Sequence, residues 1–308
     1  MRPLVTILMM ISALVLLAGF GGRLHGAGDL LAVGRPAVTA VLTLLSLVAM
    51  TLGLRRRGAV GLMAALVAVW SMLPPMVGVV AASNDREYGA YQKNLLFRNR
   101  ETEAVAADIL ATESDFVFLQ ELHSVTRPIL ARLGGAYPHQ AFCDFATVGG
   151  VAVLSRWPPT GDAPVCDGNG LVAMQVETPD GPLWVASLHL HWPYPHRQPG
   201  QVERLLPVLR GLDGPVLLGG DFNMVPWGYS VRAVAEAIGG KATGYAGGTF
   251  TLSDHFQDLD LAALMPRLPI DHVLVPAASE VKSLERRERL GSDHNGLLAK
   301  FTFSSTVE

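Results

Sequence analysis

Several polar residues in this chain stand at the ends of apolar runs that are typical of β-strands. Carboxylates, amides and imidazoles are the residue types that bind hard cations, orient water and donate to phosphoryl oxygens. Ligand sites in layered α/β folds gather where strands end. We therefore expect these side chains to share one site. They are Asn94, Glu121, His189, Asp221, Asn223, Asp271, Asp293 and His294.

Two of the carboxylates directly follow strand-like runs. Glu121 comes after the apolar run 115–119, so a rigid element fixes its carboxylate, as a hard cation such as Mg²⁺ requires. In Gly-Gly-Asp-Phe-Asn at 219–223 the paired glycines let a ligand approach closely. There Asp221 can orient or deprotonate water and Asn223 can donate to a phosphoryl oxygen. Alone, Glu121 is more typical of a surface residue, and the 221–223 segment is equally typical of an Asx turn.

The histidines require partners before they indicate catalysis. A carboxylate such as Asp271, hydrogen-bonded to His294, would fix the imidazole tautomer and stabilise its charged form. Asp293 can serve a metal or a nucleophilic water. His189 ends the run 183–190, whereas His191 alternates with it along an extended chain and is expected to face away. A lone histidine is usually structural, so the assignment depends on the fold.

Alternating short elements position these residues. Helical patterning predicts helices at 100–112, 124–133, 200–212 and 229–238. Apolar runs predict strands at 92–97, 115–119, 139–143, 149–154, 171–177, 183–190, 215–219, 270–275 and 297–303. The Thr-Pro-Asp-Gly sequence at 178–181 predicts a hairpin turn. So many strands exceed one small sheet, and the pattern predicts an α/β domain of two packed sheets flanked by helices.

The first quarter of the chain has a different composition. Runs 3–22, 37–54 and 58–82 contain no Asp, Glu, Lys or Arg, and each is close to the roughly 20 residues that a membrane-spanning helix needs. We interpret 1–82 as an anchor of three transmembrane helices, rather than a signal peptide or a buried helical hairpin. Residues 83–91 are then a linker and 92–308 the catalytic domain. Three arginines at 55–57 predict a multi-pass inner-membrane protein whose domain lies outside the cytoplasm.

Charge and cysteine content limit the partners. From residue 85 onward the chain has 18 Lys and Arg against 26 Asp and Glu, a net charge of −8. This acidic balance disfavours a dedicated nucleic-acid binder, which usually carries a basic stripe. In an oxidising compartment Cys143 and Cys166 would be able to pair, and two isolated buried thiols are the alternative.

Six motifs, in this order, resemble the endonuclease/exonuclease/phosphatase superfamily over residues 91–303. They are Asn94-Leu95-Leu96, Leu119-Gln120-Glu121, Leu188-His189-Leu190, Gly220-Asp221-Phe222-Asn223, Ile270-Asp271-His272 and Ser292-Asp293-His294. The resemblance implies a four-layer sandwich of two mixed β-sheets between helices. The three apolar runs also resemble a membrane-anchored bacterial subgroup.

The same resemblance implies residue roles. Asn94 and Glu121 would hold a divalent metal, with Asp293 near it; Asp221 and Asn223 would position the attacking water; Asp271 would orient His294; and His189 would contact the phosphate. The implied cofactor is Mg²⁺, with Mn²⁺ and Ca²⁺ as alternatives. Leu96 stands where some nuclease branches carry an acidic residue, which favours a single metal held chiefly by Glu121.

The implied reaction is in-line attack of water on a phosphodiester or phosphomonoester. A lipid head group is one candidate substrate, because the anchor would keep the site near the bilayer. An extracytoplasmic nuclease acting on DNA and a non-catalytic membrane scaffold are the alternatives. The acidic charge argues against the first, and the filled site positions argue against the second.

Overall fold

The computed structural model describes residues 1–73, 86–251 and 267–303, and within them helices precede and flank a set of strands. The helices are α1 (Arg2–Ala18), α2 (Ala27–Val33), α3 (Arg35–Thr51), α4 (Arg55–Met72), α5 (Thr102–Ala111), α6 (Ile129–Leu133), α7 (Gln198–Arg210) and α8 (Tyr229–Ala237). The strands are β1 (Glu87–Asn94), β2 (Phe116–Leu122), β3 (His139–Ala146), β4 (Gly149–Ser155), β5 (Val165–Asp167), β6 (Leu171–Thr178), β7 (Gly181–His189), β8 (Val216–Asp221), β9 (Gly240–Ala242), β10 (Phe250–Thr251), β11 (Arg267–Leu268), β12 (Asp271–Pro276), β13 (Ser279–Arg286) and β14 (Leu297–Phe303).

Two six-stranded mixed sheets form the centre of the domain. The first has the order β13-β14-β1-β2-β4-β3 and the second β5-β6-β7-β8-β12-β9. Each contains one parallel pair, β1 with β2 and β7 with β8, among antiparallel neighbours. Parallel strands end at the same edge of a sheet. The motifs that follow β1, β2, β7 and β8 are therefore brought to shared edges.

Apolar side chains fill three layers of packing. One cluster lies between the sheets and includes Phe116 and Phe118 from the first and Val185 and Leu217 from the second. A second cluster packs α5 and α6 on the first sheet, and a third packs α7 and α8 on the second. This order of helix, sheet, sheet and helix confirms the predicted α/β architecture of two mixed sheets flanked by helices.

The boundaries of several strands and helices differ from the prediction, chiefly where polar segments of the sequence are buried. Strand β1 begins at Glu87, inside the segment expected to be a linker, and its tyrosines Tyr88 and Tyr91 are fully buried. Helix α6 begins only at Ile129, after Pro128, and not at 124. Strands β5, β9, β10, β11 and β13 were not predicted. Four of these five contain only two or three residues, and β13 has a largely polar sequence, so their apolar signal is weak.

Cys143 of β3 and Cys166 of β5 form a disulfide with their Cα atoms 5.4 Å apart. The two strands belong to different sheets, so the bond joins the sheets at one edge. The sequence was compatible with either a disulfide or two isolated thiols, and the structure shows the disulfide.

The N-terminal helices form a separate packing unit. Val5, Leu42, Ala49 and Ala65 belong to one cluster shared by α1, α3 and α4. The other faces of these helices expose large apolar side chains. Among them are Leu4, Ile7, Leu14, Leu17, Val41, Leu44, Val60, Met63, Leu66 and Trp70.

The helices are shorter than the apolar runs that predicted them. In the part of the chain that the structure describes, no single helix combines the length and apolar character needed to cross a membrane. Helices α2 and α3 pass that test only as a pair, which bends by 65° at their junction. The structure therefore gives no support to three separate spanning helices. Residues 74–82 of the third predicted span, 83–85 of the predicted linker and the end of the predicted domain at 304–308 lie outside the described residues.

Candidate active site

The predicted site residues come together at one edge of the two sheets. Asn94 pairs in register with Gln120 in the first sheet, and His189 pairs with Asp221 in the second. Asp271 begins β12 directly opposite Asp221. These strand ends surround a cleft of about 330 Å³. Its lining includes Glu121, His189, Asp221, Asn223, Asp293 and His294, together with Arg98, Phe145, His191, Trp192 and Phe250.

Glu121 is directed into the cleft by a bulge in β2. The register against β4 shifts between Gln120 and Leu122, so Glu121 is the extra residue, and its φ is 59°. A bulge re-aims a side chain at the point where a strand would otherwise continue its alternation. The carboxylate accepts hydrogen bonds from the backbone N–H of Phe97 at 2.8 Å and from Asn94 Nδ2 at 3.1 Å. Burial raises the pKa of Glu121 in spite of these bonds.

Asn94 joins the two sheets at the site. Its side chain is fully buried, and Nδ2 donates to Glu121 and also to Asp221 Oδ2 at 2.9 Å. One amide nitrogen thus lies between two carboxylates that belong to different sheets. The other amide atom, Oδ1, accepts from the backbone N–H of Leu96 at 2.9 Å.

Asp221, at the end of β8, is a fully buried carboxylate of the second sheet. Besides Asn94 it accepts from the backbone N–H of Asn223 at 2.8 Å. Burial raises the pKa of Asp221 to about 7, and the charge of His294 acts in the opposite direction. Asn223 has a φ of 48°, and its Nδ2 donates to the carbonyl of Leu190 at 2.8 Å. This left-handed turn brings the Asn223 side chain back to the cleft.

Asp271 and His294 form the pair that the sequence predicted. His294 Nδ1 lies 2.8 Å from Asp271 Oδ2, and both side chains are buried. The opposite ring nitrogen, Nε2, lies 3.7 Å from Asp221 Oδ2 and 4.0 Å from Asp293 Oδ1. Burial alone would lower the pKa of His294, but Asp271 and Asp221 raise it to about 10. The ring is therefore an imidazolium that offers one N–H to the cleft.

His189 has the opposite protonation state. Burial and then the charge of His294 lower its pKa to about 3, so the ring is neutral. Its Nε2 lies 3.5 Å from Asp221 Oδ2.

The expectation that His191 faces away from the site is wrong, since His191 also lines the cleft. Strand β7 ends at His189, so strict alternation does not continue beyond it. Phe145 packs against both rings, at 5.5 Å from His189 and 4.8 Å from His191 between centroids.

Lys93 is a buried residue that sequence reasoning missed. Its Nζ donates to the backbone carbonyls of Glu288, Arg289 and His294 at 3.0, 2.6 and 2.8 Å. Burial lowers the pKa of Lys93 to about 7, while three carbonyl acceptors favour the ammonium form, the only one with three hydrogens to donate. Lys93 therefore ties β1 to the segment that carries Asp293 and His294. In the sequence, only its position next to Asn94 indicated that Lys93 lies near the site.

A second missed feature is a hydrogen-bond chain behind Asp271. Gln92 Nε2 donates to Asp271 Oδ1 at 3.0 Å and to Gln120 Oε1 at 2.8 Å. Gln120 Nε2 donates to Ser187 Oγ at 3.0 Å, and Ser187 donates to the carbonyl of Leu119 at 3.1 Å. Because that carbonyl only accepts, the donor direction of the whole chain is fixed.

The cleft contains donors suited to a hard divalent cation. Glu121, Asp221 and Asp293 supply carboxylates, an oxygen-rich set of the kind that Mg²⁺ and Mn²⁺ prefer, whereas Asn94 turns its amide nitrogen toward Glu121 and Asp221. The raised carboxyl pKa values of Glu121 and Asp221 reflect buried negative charge that a cation would offset.

A second donor set is Asp221, Asp271 and His294, whose ligand atoms all lie within 4.8 Å of one another. In that set, however, Asp271 and His294 already engage each other at 2.8 Å.

The sequence profile of the Endonuclease/Exonuclease/phosphatase family matches residues 91–294. Among solved structures, a family protein from Bacteroides vulgatus superposes with a TM-score of 0.56 at 18% identity, covering 71% of this chain and all of the other. A humanized TDP2 of D. rerio gives 0.54 at 16% identity, covering 70% and 99%. Sphingomyelinase C from Streptomyces griseocarneus gives 0.50 at 17%, covering 70% and 99%. No curated protein sequence matches the chain.

Proposed function

Because the chain belongs to the endonuclease/exonuclease/phosphatase family, we propose that it is a metal-dependent hydrolase of phosphate esters. The observation that carries the proposal is the arrangement of Asp271, His294 and Asp221. One carboxylate holds the imidazolium from behind at 2.8 Å, and the other faces its free N–H across the cleft at 3.7 Å. A charged donor beside a carboxylate of raised pKa supplies what attack of water on phosphorus requires.

Each residue of the site has its own role in the proposed reaction. Asp221, with a pKa of about 7, accepts a proton from the attacking water, which Asn223 helps to orient. The water oxygen bonds to phosphorus as the P–O bond to the alcohol breaks, and the alcohol oxygen takes a proton from solvent. His294 and neutral His189 donate hydrogen bonds to the phosphoryl oxygens as negative charge builds on them.

We assign the metal to Glu121 and Asp293. Asn94, the third residue that the sequence predicted as a ligand, would join them only with its amide turned over, so that Oδ1 and not Nδ2 faces Glu121. A divalent cation bound there would neutralise phosphoryl charge and would polarise the ester. Asp271 is left out of this set because its engaged oxygen holds His294, and losing that contact would release the ring from its orientation. One cation is proposed, since Leu96 offers no carboxylate at the cleft.

We further propose that the N-terminal helices attach the enzyme to the inner membrane and that the domain lies outside the cytoplasm. The exposed apolar faces of α1, α3 and α4 support the first part, because so much contiguous apolar surface indicates contact with lipid or protein. The disulfide supports the second, because such bonds persist in oxidising compartments. The arginines at 55–57 favour the same orientation.

The direct test is turnover by the purified full chain in detergent. With Mn²⁺ or Mg²⁺ present, we expect hydrolysis of bis(p-nitrophenyl) phosphate or of p-nitrophenyl phosphate, loss of activity on adding EDTA, and recovery on adding back the metal. Plasmid DNA, assayed in the same way, tests the alternative that the protein is a nuclease. The net charge of −8 after residue 84 leads us to expect much weaker turnover of DNA. A protein that binds the cation but turns over none of these substrates would be the non-catalytic scaffold.

A further inference from the structure

The segment between α1 and α3 docks on the catalytic domain. This docking segment, residues 21–33, contains a 3-10 turn (Gly21–Arg23) and α2. Asp29, in the first turn of α2, is buried. Its carboxylate accepts from the backbone N–H groups of Tyr229 and Ser230, the latter at 2.9 Å, and thus caps the N-terminus of α8.

A further hydrogen bond, from Trp227, reinforces the docking. Trp227, just before α8, donates its indole N–H to the carbonyl of Ala32 at 2.7 Å. Trp227 stands four residues beyond Asn223 of the cleft. The docking segment therefore contacts the domain immediately after one of the site motifs.

Gln198 connects the contact between Asp29 and α8 to the cleft. The Ser230 hydroxyl donates to Asp29, and its oxygen lies 3.0 Å from Gln198 Oε1. Gln198 Nε2 donates to the carbonyls of His191 at 2.7 Å and of Phe222 at 2.9 Å. His191 lines the cleft, and Phe222 lies between two residues that do. A buried chain of side chains thus joins the helical anchor to the active site.

The rim of the cleft touches the docking segment directly. The rim loop, residues 191–197, leads from the end of β7 to α7. Its Tyr194 ring lies 5.0 Å from the His25 ring. Gly26 packs so closely on Pro199 that a Cβ there would lie 2.5 Å from the proline Cγ. A larger residue at position 26 would therefore clash with the start of α7, which directly follows the rim loop.

The rim loop is also aromatic and exposed. Trp192 and Tyr194 are each 40% exposed, although Trp192 packs its ring against Phe250 at 5.5 Å. Exposed Trp and Tyr side chains are typical of the membrane–water interface. They lie at the α1–α3 end of the helices, whereas the arginines at 55–57 mark the α3–α4 end.

We propose that the docking segment holds the cleft mouth against the outer face of the bilayer that contains the helices. The substrate is then the phosphodiester head group of a phospholipid in that same bilayer. This inference depends on the proposed function. Water adds to phosphorus, one P–O ester bond breaks, and the products are an alcohol and a phosphomonoester. The fixed cleft reaches head groups beside its own anchor and cannot reach a second vesicle.

The test uses the full chain reconstituted into vesicles of phosphatidylcholine and phosphatidylglycerol. In one arm the protein-containing vesicles carry a head-group-labelled phospholipid, and in the other the label is in added protein-free vesicles. We expect hydrolysis in the first arm at a rate at least about 10-fold above the second, because attachment raises the local substrate concentration. Each sample is also assayed with bis(p-nitrophenyl) phosphate.

Asp29→Ala removes the cap and releases the cleft from the anchor. We expect turnover of lipid in the same vesicle to fall about 10-fold or more, because misplacement of a site is costly, with the soluble substrate within about twofold of wild type. The matched control is Asp213→Asn, at an exposed turn on the domain. If Asp29→Ala loses soluble activity through misfolding, Tyr194→Ser at the rim contact provides the same comparison.

The outcomes separate the two proposals. Absence of turnover of both soluble and lipid substrates would overturn the proposed function. Turnover of the soluble ester with intact lipid in the enzyme's own vesicle would overturn this inference alone. Equal rates in the two vesicle arms would also overturn it, because the cleft would then be free to reach any surface.

Discussion

The substitution Asp271→Asn tests the geometry that holds His294. The native carboxylate accepts on both oxygens, from His294 Nδ1 at 2.8 Å and from Gln92 Nε2 at 3.0 Å. An amide has the same size but offers one acceptor and one donor group. One of the two neighbours must therefore face a donor where it had an acceptor.

The hydrogen-bond chain that continues from Gln92 decides which of the two neighbours loses its acceptor. Gln92 Nε2 also donates to Gln120, and the direction of that chain is fixed by the Leu119 carbonyl at its end. The introduced amide therefore keeps its oxygen toward Gln92 and turns its NH₂ toward His294. The imidazole must then place its remaining proton on Nε2 and lose the charged form.

The expected cost follows from the lost charge pair. Two unit charges about 4 Å apart interact by about 4 kcal/mol at an effective dielectric constant of about 20. A neutral hydrogen bond that replaces them retains about 1 kcal/mol. The difference of about 3 kcal/mol corresponds to roughly 100-fold in kcat.

The assay is kcat and KM for bis(p-nitrophenyl) phosphate at saturating Mn²⁺, with Mn²⁺ affinity measured by calorimetry. We expect kcat to fall about 100-fold in Asp271→Asn while metal affinity is nearly unchanged. His294→Ala should show a similar or larger loss, and the double variant should be little worse than His294→Ala alone, because residues that act as a unit are non-additive.

A second-site change sharpens this test. Gln92→Leu in the Asp271→Asn background removes the donor that fixes the amide, which is then free to turn its oxygen to His294. Part of the lost rate should return. Multiplicative losses in the double variant of Asp271 and His294, or the absence of rescue by Gln92→Leu, would refute the tautomer argument.

Other changes test other parts of the molecule. Glu121→Gln keeps the size but removes the charge, and Mn²⁺ affinity should fall about 10- to 100-fold by calorimetry; unchanged affinity would remove this residue from the metal site. Lys93→Met leaves three carbonyls without their donor and should destabilise the domain by about 1–3 kcal/mol in urea unfolding and lower kcat; a neutral effect would contradict a positioning role. Reduction of the bond between Cys143 and Cys166 should cost about 3 kcal/mol of stability, seen as a lower Tm with reductant, and no change would mean that the cysteines are already free. A reporter fused after Ala82 should be active only outside the cytoplasm, and cytoplasmic activity would reverse the proposed orientation.

The sequence predicted the strand ends well, for a physical reason. The run 149–154 was predicted almost to the residue, because it is apolar throughout and its strand is buried on both faces. The polar residue that ends such a run is then at the sheet edge. The motif positions Glu121 and Asp221 could be found in this way, whereas Asn94 ends a polar strand and was found from the order of the motifs.

Burial of polar residues could not be predicted in the same way. The strand Glu87–Asn94 has a sequence typical of a surface segment, yet it is central in its sheet and seven of its eight residues are buried. Lys93 is buried because carbonyls some 200 residues away in the chain satisfy its ammonium group. Partners so distant in sequence leave no local pattern.

The residue types and their order indicated the α/β class, most strand ends and the pairing of Asp271 with His294. Only the tertiary structure decided that a bulge turns Glu121 into the cleft, that His191 joins His189 there, and that Asp29 caps a helix two hundred residues later. It also decided that the two cysteines meet. Local spacing fixes which residues end a strand, whereas contacts between distant segments depend on how the sheets and helices pack.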